Sequence, residues 1–150
     1  RLSPLLGLSG GLIPLVAGLD ARFGSRLQLG LPLVILAAII ILIGYVIGSY
    51  ALIENRFFSG MVRIQSERGQ HVITSGPYRW VRHPGYAGAV LTYIATPLLF
   101  ESGWTVLPVI STIIIIIVRT ALEDRTLKEK LEGYQAYAHK VPYRLFPGLW

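Results

Sequence analysis

Apolar and polar positions fall in long blocks along this chain. Leu29 to Ile53 holds no charged residue. Pro84 to Phe100 and Ser102 to Val118 are two further uncharged runs, separated only by Glu101. Leu2 to Leu19 is also apolar, but rich in glycine and interrupted by Pro4 and Pro14. An α-helix rises about 1.5 Å per residue, so roughly 20 apolar residues cross the hydrocarbon layer. The pattern predicts four apolar helices, at about 3–19, 28–54, 84–100 and 103–118, the last running on past the membrane. Burial of these helices in a soluble core is the competing reading. A chain of 150 residues has too little polar sequence to wrap such a core. The predicted fold class is an all-α integral membrane protein of about four transmembrane helices, with a helical hairpin and a cytoplasmic C-terminal helix.

The breaks between blocks refine this picture. Only Glu101, Ser102 and Gly103 separate the last two runs, which predicts a tight antiparallel hairpin. Pro32 falls near a helix start, where proline costs little, whereas Pro97 and Pro108 are placed to kink their helices. Two polar segments remain. In the first, 55–83, turn signals at Ser59-Gly60 and Ser75-Gly76-Pro77 flank an extended His71-Val72-Ile73-Thr74. In the second, Leu127, Leu131, Tyr134 and Ala138 recur at helical spacing, predicting one amphipathic helix over about 120–139 that Pro142 and Pro147 stop. No internal repeat appears, so the chain reads as one domain, with two N-terminal membrane helices in 1–54 and a core in 55–150.

Charge sets direction. Arg56, Arg63, Arg68, Arg79 and Arg82 lie in the first polar segment, and Arg119, Arg125, Lys128, Lys130, Lys140 and Arg144 in the second. The turn at 101–103 has no basic residue, so the positive-inside rule puts both polar segments in the cytoplasm and Glu101 outside. Arg22 and Arg26 then fall outside, a conflict confined to the first helix. The net charge of +6 reads as cytoplasmic loops facing anionic lipid, not as nucleic-acid binding. The absence of cysteine excludes disulfides and thiolate chemistry, and His71, His83 and His139 lack ligand spacing for a metal. The first apolar stretch lacks a signal-peptide cleavage pattern. The start at Arg1 rather than Met predicts a fragment or trimmed chain, with upstream helices missing.

Candidate chemistry falls on the two polar segments, which face the same side. The run from Ser75 to Gly88 is a membrane re-entry. Pro84 suits a first helical turn and keeps His83 extended. The free N–H groups of that turn offer a seat for a carboxylate. Gly85 and Gly88 share about one face and permit close approach. Taken singly, the Arg and Tyr residues here read as headgroup anchors. Arg119 and Glu123, with Asp124 beside it, share a helix face where the fourth helix leaves the membrane. They read either as an intrahelical ion pair or as a pair handling opposite charges on two ligands. Trp80, Trp104 and Trp150 read as interfacial anchors, Arg79 and Arg82 as headgroup contacts, Glu101 as solvated and His139 as an exposed helix residue.

Together the motifs are more specific. Gly76-Pro77-Tyr78-Arg79 followed by Arg82-His83-Pro84-x-Tyr86-x-Gly88 resembles the signature of the isoprenylcysteine carboxyl methyltransferase family, which is similar to the phospholipid N-methyltransferases. Arg119, Glu123-Asp124, Tyr134-x-x-Tyr137 and Tyr143-Arg144-Leu145-x-Pro147-Gly148 fit it too. The resemblance covers about 60–150. It implies S-adenosylmethionine as methyl donor, with Gln65, His71, Val72, Ile73 and Tyr78 on one side of the cofactor. His83, Pro84, Gly85 and Tyr86 would hold the other side, Glu123 the cofactor's amino-acid end, and Arg119 the substrate. The stretch from Gln65 to Thr74 is shorter than in the animal enzymes, which shifts this part of the alignment by a residue or two. The acceptor it implies is a lipophilic small molecule or lipid-modified group in the membrane, methylated on a carboxylate. A phospholipid amine is the second reading. A non-catalytic membrane protein that kept the fold and a nicotinamide-dependent membrane reductase are the others, the last without a Gly-x-Gly-x-x-Gly in 55–83. Oligomeric state is left open.

Overall fold

The computed structural model of the chain describes residues 3–24, 27–58 and 69–150. Among these residues the structure is helical, without strands. The helices are α1 (Ser3–Phe23), α2 (Leu31–Glu54), α3 (Pro84–Leu99), α4 (Val106–Lys130) and α5 (Tyr134–Lys140), with a 3-10 turn at Gly76–Arg79. Among the described residues, α1, α2 and α4 are long and apolar enough to cross a membrane. At 16 residues α3 is shorter than a full span, and about 24 Å long. The expected membrane bundle is therefore present, with its third member short.

The outward face of α2 is a continuous lipid-type surface, with Leu36, Ile39, Leu42, Ile43 and Val46 exposed. Its buried residues, Ala37, Gly44 and Ala51, are all small and seven apart. Small residues let helix backbones approach where lipid supplies no hydrophobic drive. A Cβ on Gly44 would meet the Gly88 carbonyl oxygen at 2.6 Å and Thr92 Oγ1 at 2.5 Å. Gly88 meets the Gly44 and Gly48 backbone in return. Gly88 is thus a helix-crossing residue.

Three expectations are corrected. The link between α3 and α4 is 100–105, longer than the predicted turn of 101–103, and α3 packs most extensively on α2. That link is docked, not solvated. The Glu101 carbonyl accepts from Leu27 N at 2.7 Å, its Oε1 accepts from Leu29 N at 3.2 Å, and the Ser102 hydroxyl donates to buried Asp20. Second, Pro108 lies in the first turn of α4, where its missing N–H has no intrahelical partner to lose. Third, the tail helix over 120–139 is two helices. Leu131 is extended and Gly133 has φ 78°, a left-handed value that glycine adopts without a Cβ clash. The break turns Tyr134 and Tyr137 inward, where they pack on Val141, Val72 and Leu127. His71 to Thr74 is non-helical and has no strand pairing among the described residues.

Candidate functional site

The chain returns to the bundle through Arg82-His83-Pro84. His83 is non-helical, with φ −129°, and Pro84 occupies the first turn of α3, as its fixed φ favours. Two backbone bonds tie this re-entry to the tail: Arg82 N to Tyr143 O at 3.0 Å and His83 N to Arg144 O at 2.9 Å. Leu145 of the same tail is buried against Tyr86, Ala87, Val90 and Ile116.

Asp124, 1% exposed, is the hub beneath. Its oxygens accept from Arg82 Nε at 2.7 Å, Arg82 Nη2 at 3.1 Å, Arg144 Nε at 3.0 Å and the Tyr134 hydroxyl at 3.0 Å. Lys128 Nζ lies 3.2 Å away and His83 Nε2 3.4 Å. Arg82 Nη1 also donates to the Val141 and Pro142 carbonyls, each at 2.7 Å. Arg82 is therefore a buried clamp between re-entry, α4 and tail, not the expected headgroup contact. Burial disfavours its charge, but the hydrogen bond to Asp124, the Asp124 charge and Tyr134 together outweigh that and raise its pKa.

Above this hub lies a narrow cleft of about 70 Å³. His71, Val72, Ile73, Tyr78, His83, Gly85, Tyr86 and Glu123 all line it. Two segments far apart in sequence, 71–86 and 123–137, thus meet here. Gln65 lies outside the described residues, but Gln70 lines the cleft. Pro84 is buried at the start of α3 and shapes the wall without lining it.

Arg119 is placed differently from the expectation. It is 4% exposed and sits behind the cleft wall, with Nε donating to the Tyr86 hydroxyl at 2.6 Å and Nη1 to the Ser3 hydroxyl at 2.7 Å. The Tyr86 hydroxyl then donates to Glu123 Oε2 at 2.7 Å. Arg119 and Glu123 are linked through the Tyr86 hydroxyl.

The sequence reading missed Asn55, Phe57, Phe58, Thr126, Leu127 and Leu131 as lining residues. Leu127 and Leu131 belong to the apolar stripe noted above, so the signal was present but read only as packing. Tyr134 and Tyr137 were noted only as part of a motif. The tyrosines here are strong neutral donors. Burial pushes Tyr78 up to about 12, partly offset by the Asn55 hydrogen bond, and burial also raises Tyr134 and Tyr137. The Tyr78 hydroxyl donates to Ala51 O at 3.3 Å, and the Tyr137 hydroxyl to Tyr78 O at 2.7 Å. No phenolate base is available among them at neutral pH. Of the other expectations, Trp80 and Trp104 are exposed as anchors would be. Trp150 instead stacks under Arg144, 4.6 Å from its ring centre. His139 is exposed on α5.

Fold and cleft together define a helical membrane protein with a polar site at one end of its bundle, built where the chain re-enters the apolar layer. The chain belongs to the isoprenylcysteine carboxyl methyltransferase (ICMT) family, whose model matches residues 33–129. A probable protein-S-isoprenylcysteine O-methyltransferase of Oryza sativa subsp. indica is 36% identical over 62 residues, 41% of this chain and 32% of that protein. The Delta(14)-sterol reductase TM7SF2 of Mus musculus is 28% identical over 151 aligned positions, 90% of this chain and 36% of that protein. The structure of the eukaryotic intramembrane Ras methyltransferase ICMT superimposes with a TM-score of 0.76 at 19% identity, over 94% of this chain and 52% of that one. That likeness shows a shared fold. The chain spans about a third of the length of the curated relatives it matches.

Proposed function

We propose that this chain is a methyltransferase that uses S-adenosylmethionine to methylate a carboxylate on a lipophilic acceptor, at the cytoplasmic face of the membrane. The observation that carries this reading is a cleft that gathers residues from both sequence motifs. Its chemistry suits the donor. One carboxylate, Glu123, stands among the rings of Phe57, Phe58, Tyr78 and Tyr86, a setting that favours an organic cation. When bound, S-adenosylmethionine supplies an activated methyl group on a sulfonium, so neither a metal nor a covalent nucleophile is required.

The residues then have binding and aligning tasks. Glu123 accepts from the donor's ammonium, and the free N–H groups after Pro84 receive its carboxylate. Tyr86 holds Glu123 in place, and Arg119 holds Tyr86. Arg119 thus acts on the site through Tyr86. An acceptor carboxylate arrives deprotonated, so the gain comes from alignment and exclusion of water. Support for a carboxylate acceptor comes from the family and from the Oryza sativa relative. Cytoplasmic placement rests on the basic residues flanking the cleft.

A reductase is the second reading, favoured by the likeness to the sterol reductase along 90% of the chain. A dinucleotide diphosphate needs basic groups in its site. Among the described residues the lining arginine, Arg82, is already committed to Asp124, and Glu123 would repel the phosphates. Calorimetry of the purified chain with S-adenosylhomocysteine tests the leading reading. Binding is expected, and it should be lost in Glu123→Ala. Well-folded protein that binds no S-adenosylhomocysteine would overturn it. Labelled-methionine lipid extracts then separate O-methylation from N-methylation of a phospholipid amine.

A further inference from the structure

A second cavity, an open basin of about 460 Å³, lies between the end of α4, α5 and the tail. Of its lining residues it shares Arg82 alone with the cleft. Lys128 comes from α4, His139 from α5, and Arg144 and Trp150 from the tail. The walls are tied to one another. Gln135 Nε2 donates to the Lys128 carbonyl at 3.2 Å, Arg82 Nη1 to the Pro142 carbonyl at 2.7 Å, and Arg144 N–H to the Trp150 carbonyl at 2.7 Å. Among the described residues no Asp or Glu lines this basin.

Its charge is unbalanced. Arg82, Arg144 and Lys128 all converge on Asp124, so three cations meet one carboxylate and two positive charges are left over. The neighbouring acids are engaged elsewhere. Glu123 accepts from Tyr86 in the cleft, Glu129 pairs with Arg125, and Glu132 lines a different cavity. Arg144 spends Nε on Asp124 and lays its guanidinium over the Trp150 ring. Its Nη1 and Nη2 have no hydrogen-bond partner among the described residues, and the side chain is 29% exposed. Lys128 Nζ reaches Asp124 at 3.2 Å and keeps further N–H groups for solvent, with its side chain 37% exposed. A guanidinium edge beside an ammonium is complementary to a tetrahedral oxyanion, because the two parallel N–H groups match two phosphate oxygens.

We propose that this basin seats the phosphate of an anionic membrane lipid, held by Arg144 Nη1 and Nη2 and by Lys128 Nζ. The tail points to a lipid as the source. Leu145 is buried against Val90 and Ile116 of the bundle, so the tail lies along the apolar layer. On either side of Leu145 the tail exposes Tyr143 and, beside Trp150, Leu149 at 78%. A lipid presents both parts at once, a phosphate for the donors and acyl chain for the exposed leucine. A leaflet rich in anionic lipid also concentrates such headgroups at a basic edge. Arg144 would hold the phosphate through Nη while keeping Asp124 through Nε. The lipid would thereby brace the hub that fixes the chain's re-entry. None of this depends on the methyl-donor reading.

Thermal unfolding of the full chain in neutral detergent tests this, with short-chain phosphatidylglycerol, short-chain phosphatidylcholine and inorganic phosphate as separate probes. Phosphatidylglycerol should raise Tm by about 5–10 °C at about a hundredfold above its Kd. Phosphatidylcholine and inorganic phosphate should raise it far less. Lys128→Gln should weaken the apparent affinity for phosphatidylglycerol by about tenfold, and Arg144→Gln by more, since it removes the paired donors. Arg125→Gln, which removes an exposed cation elsewhere on α4, should keep the full shift. An equal shift with inorganic phosphate would overturn the lipid as the source. An equal shift with phosphatidylcholine, or a phosphatidylglycerol shift that survives in Lys128→Gln, would overturn the seat. Lys128 is exposed enough for its variant to fold, so the test stands even where Arg144→Gln does not.

Discussion

The α2–α3 crossing and the Asp124 hub solve the same packing problem by opposite means. At the crossing, Gly44 and Gly88 remove side chains so that backbones touch. At the hub, three cations, a tyrosine and a histidine converge on one buried carboxylate. Lipid gives helix association no hydrophobic drive, so close van der Waals contact does that work in the apolar layer. Near the membrane surface the chain instead fixes its re-entry, tail and α4 with directional polar bonds. Buried ion pairs are costly to desolvate and often add little net stability. What this one adds is placement, because the same carboxylate that clamps Arg82 also orients His83.

Removing the hub should have the largest effect. Asp124→Ala leaves Arg82 buried with its charge unpaired, and such losses cost about 3–5 kcal/mol. Thermal unfolding in detergent should show a large fall in Tm, and an unchanged Tm would mean that the tail and re-entry are held by their backbone bonds alone. Next comes the crossing. Gly44→Leu forces α2 off α3 and should cost toward the upper end of about 1–3 kcal/mol. It should leave S-adenosylhomocysteine binding intact in the fraction that folds. If binding is lost in that fraction, the crossing and the site are one unit and the contrast between them fails.

The same division explains what could be read from sequence. The apolar runs announced the helices, since length and lack of charge decide membrane spans whatever the tertiary contacts. Pro84 announced the start of α3 for a local reason, its fixed φ. The break at Gly133 was less visible, because Leu127, Leu131, Tyr134 and Ala138 keep helical spacing across it. The hub was invisible for a different reason. Asp124 meets Arg82 from 42 positions away, and nothing in the local pattern around either residue specifies a partner. Arg119 and Glu123 stood at the spacing of a direct pair, yet Tyr86 from another helix came between them.

That inserted hydroxyl gives the third, smaller prediction. Tyr86→Phe removes one proton donor to Glu123 and one acceptor for Arg119, worth about 1–2 kcal/mol of stability. The effect on ligand binding should exceed the effect on Tm, because Glu123 is freed to turn away from the cleft. Equal losses in both would make Tyr86 a packing residue only.

The smallest effect should come from an ion pair that looks much like the hub on paper. Arg125 Nε lies 2.8 Å from Glu129, against 2.7 Å for Arg82 and Asp124. Distance therefore does not separate them, but exposure does. The Arg125 and Glu129 side chains are 78% and 53% exposed, and those of Arg82 and Asp124 are 3% and 1% exposed. Water screens the first pair and supplies replacement bonds for either partner when the other is removed. Arg125→Ala should leave Tm and S-adenosylhomocysteine affinity unchanged within error. Raising salt to about 1 M shortens the screening length to about 3 Å, which weakens exposed pairs and spares buried ones. The wild type should therefore keep its Tm under that salt. A fall comparable to that of Asp124→Ala would mean that water and ions reach the hub, and that placement of His83 depends on ionic strength.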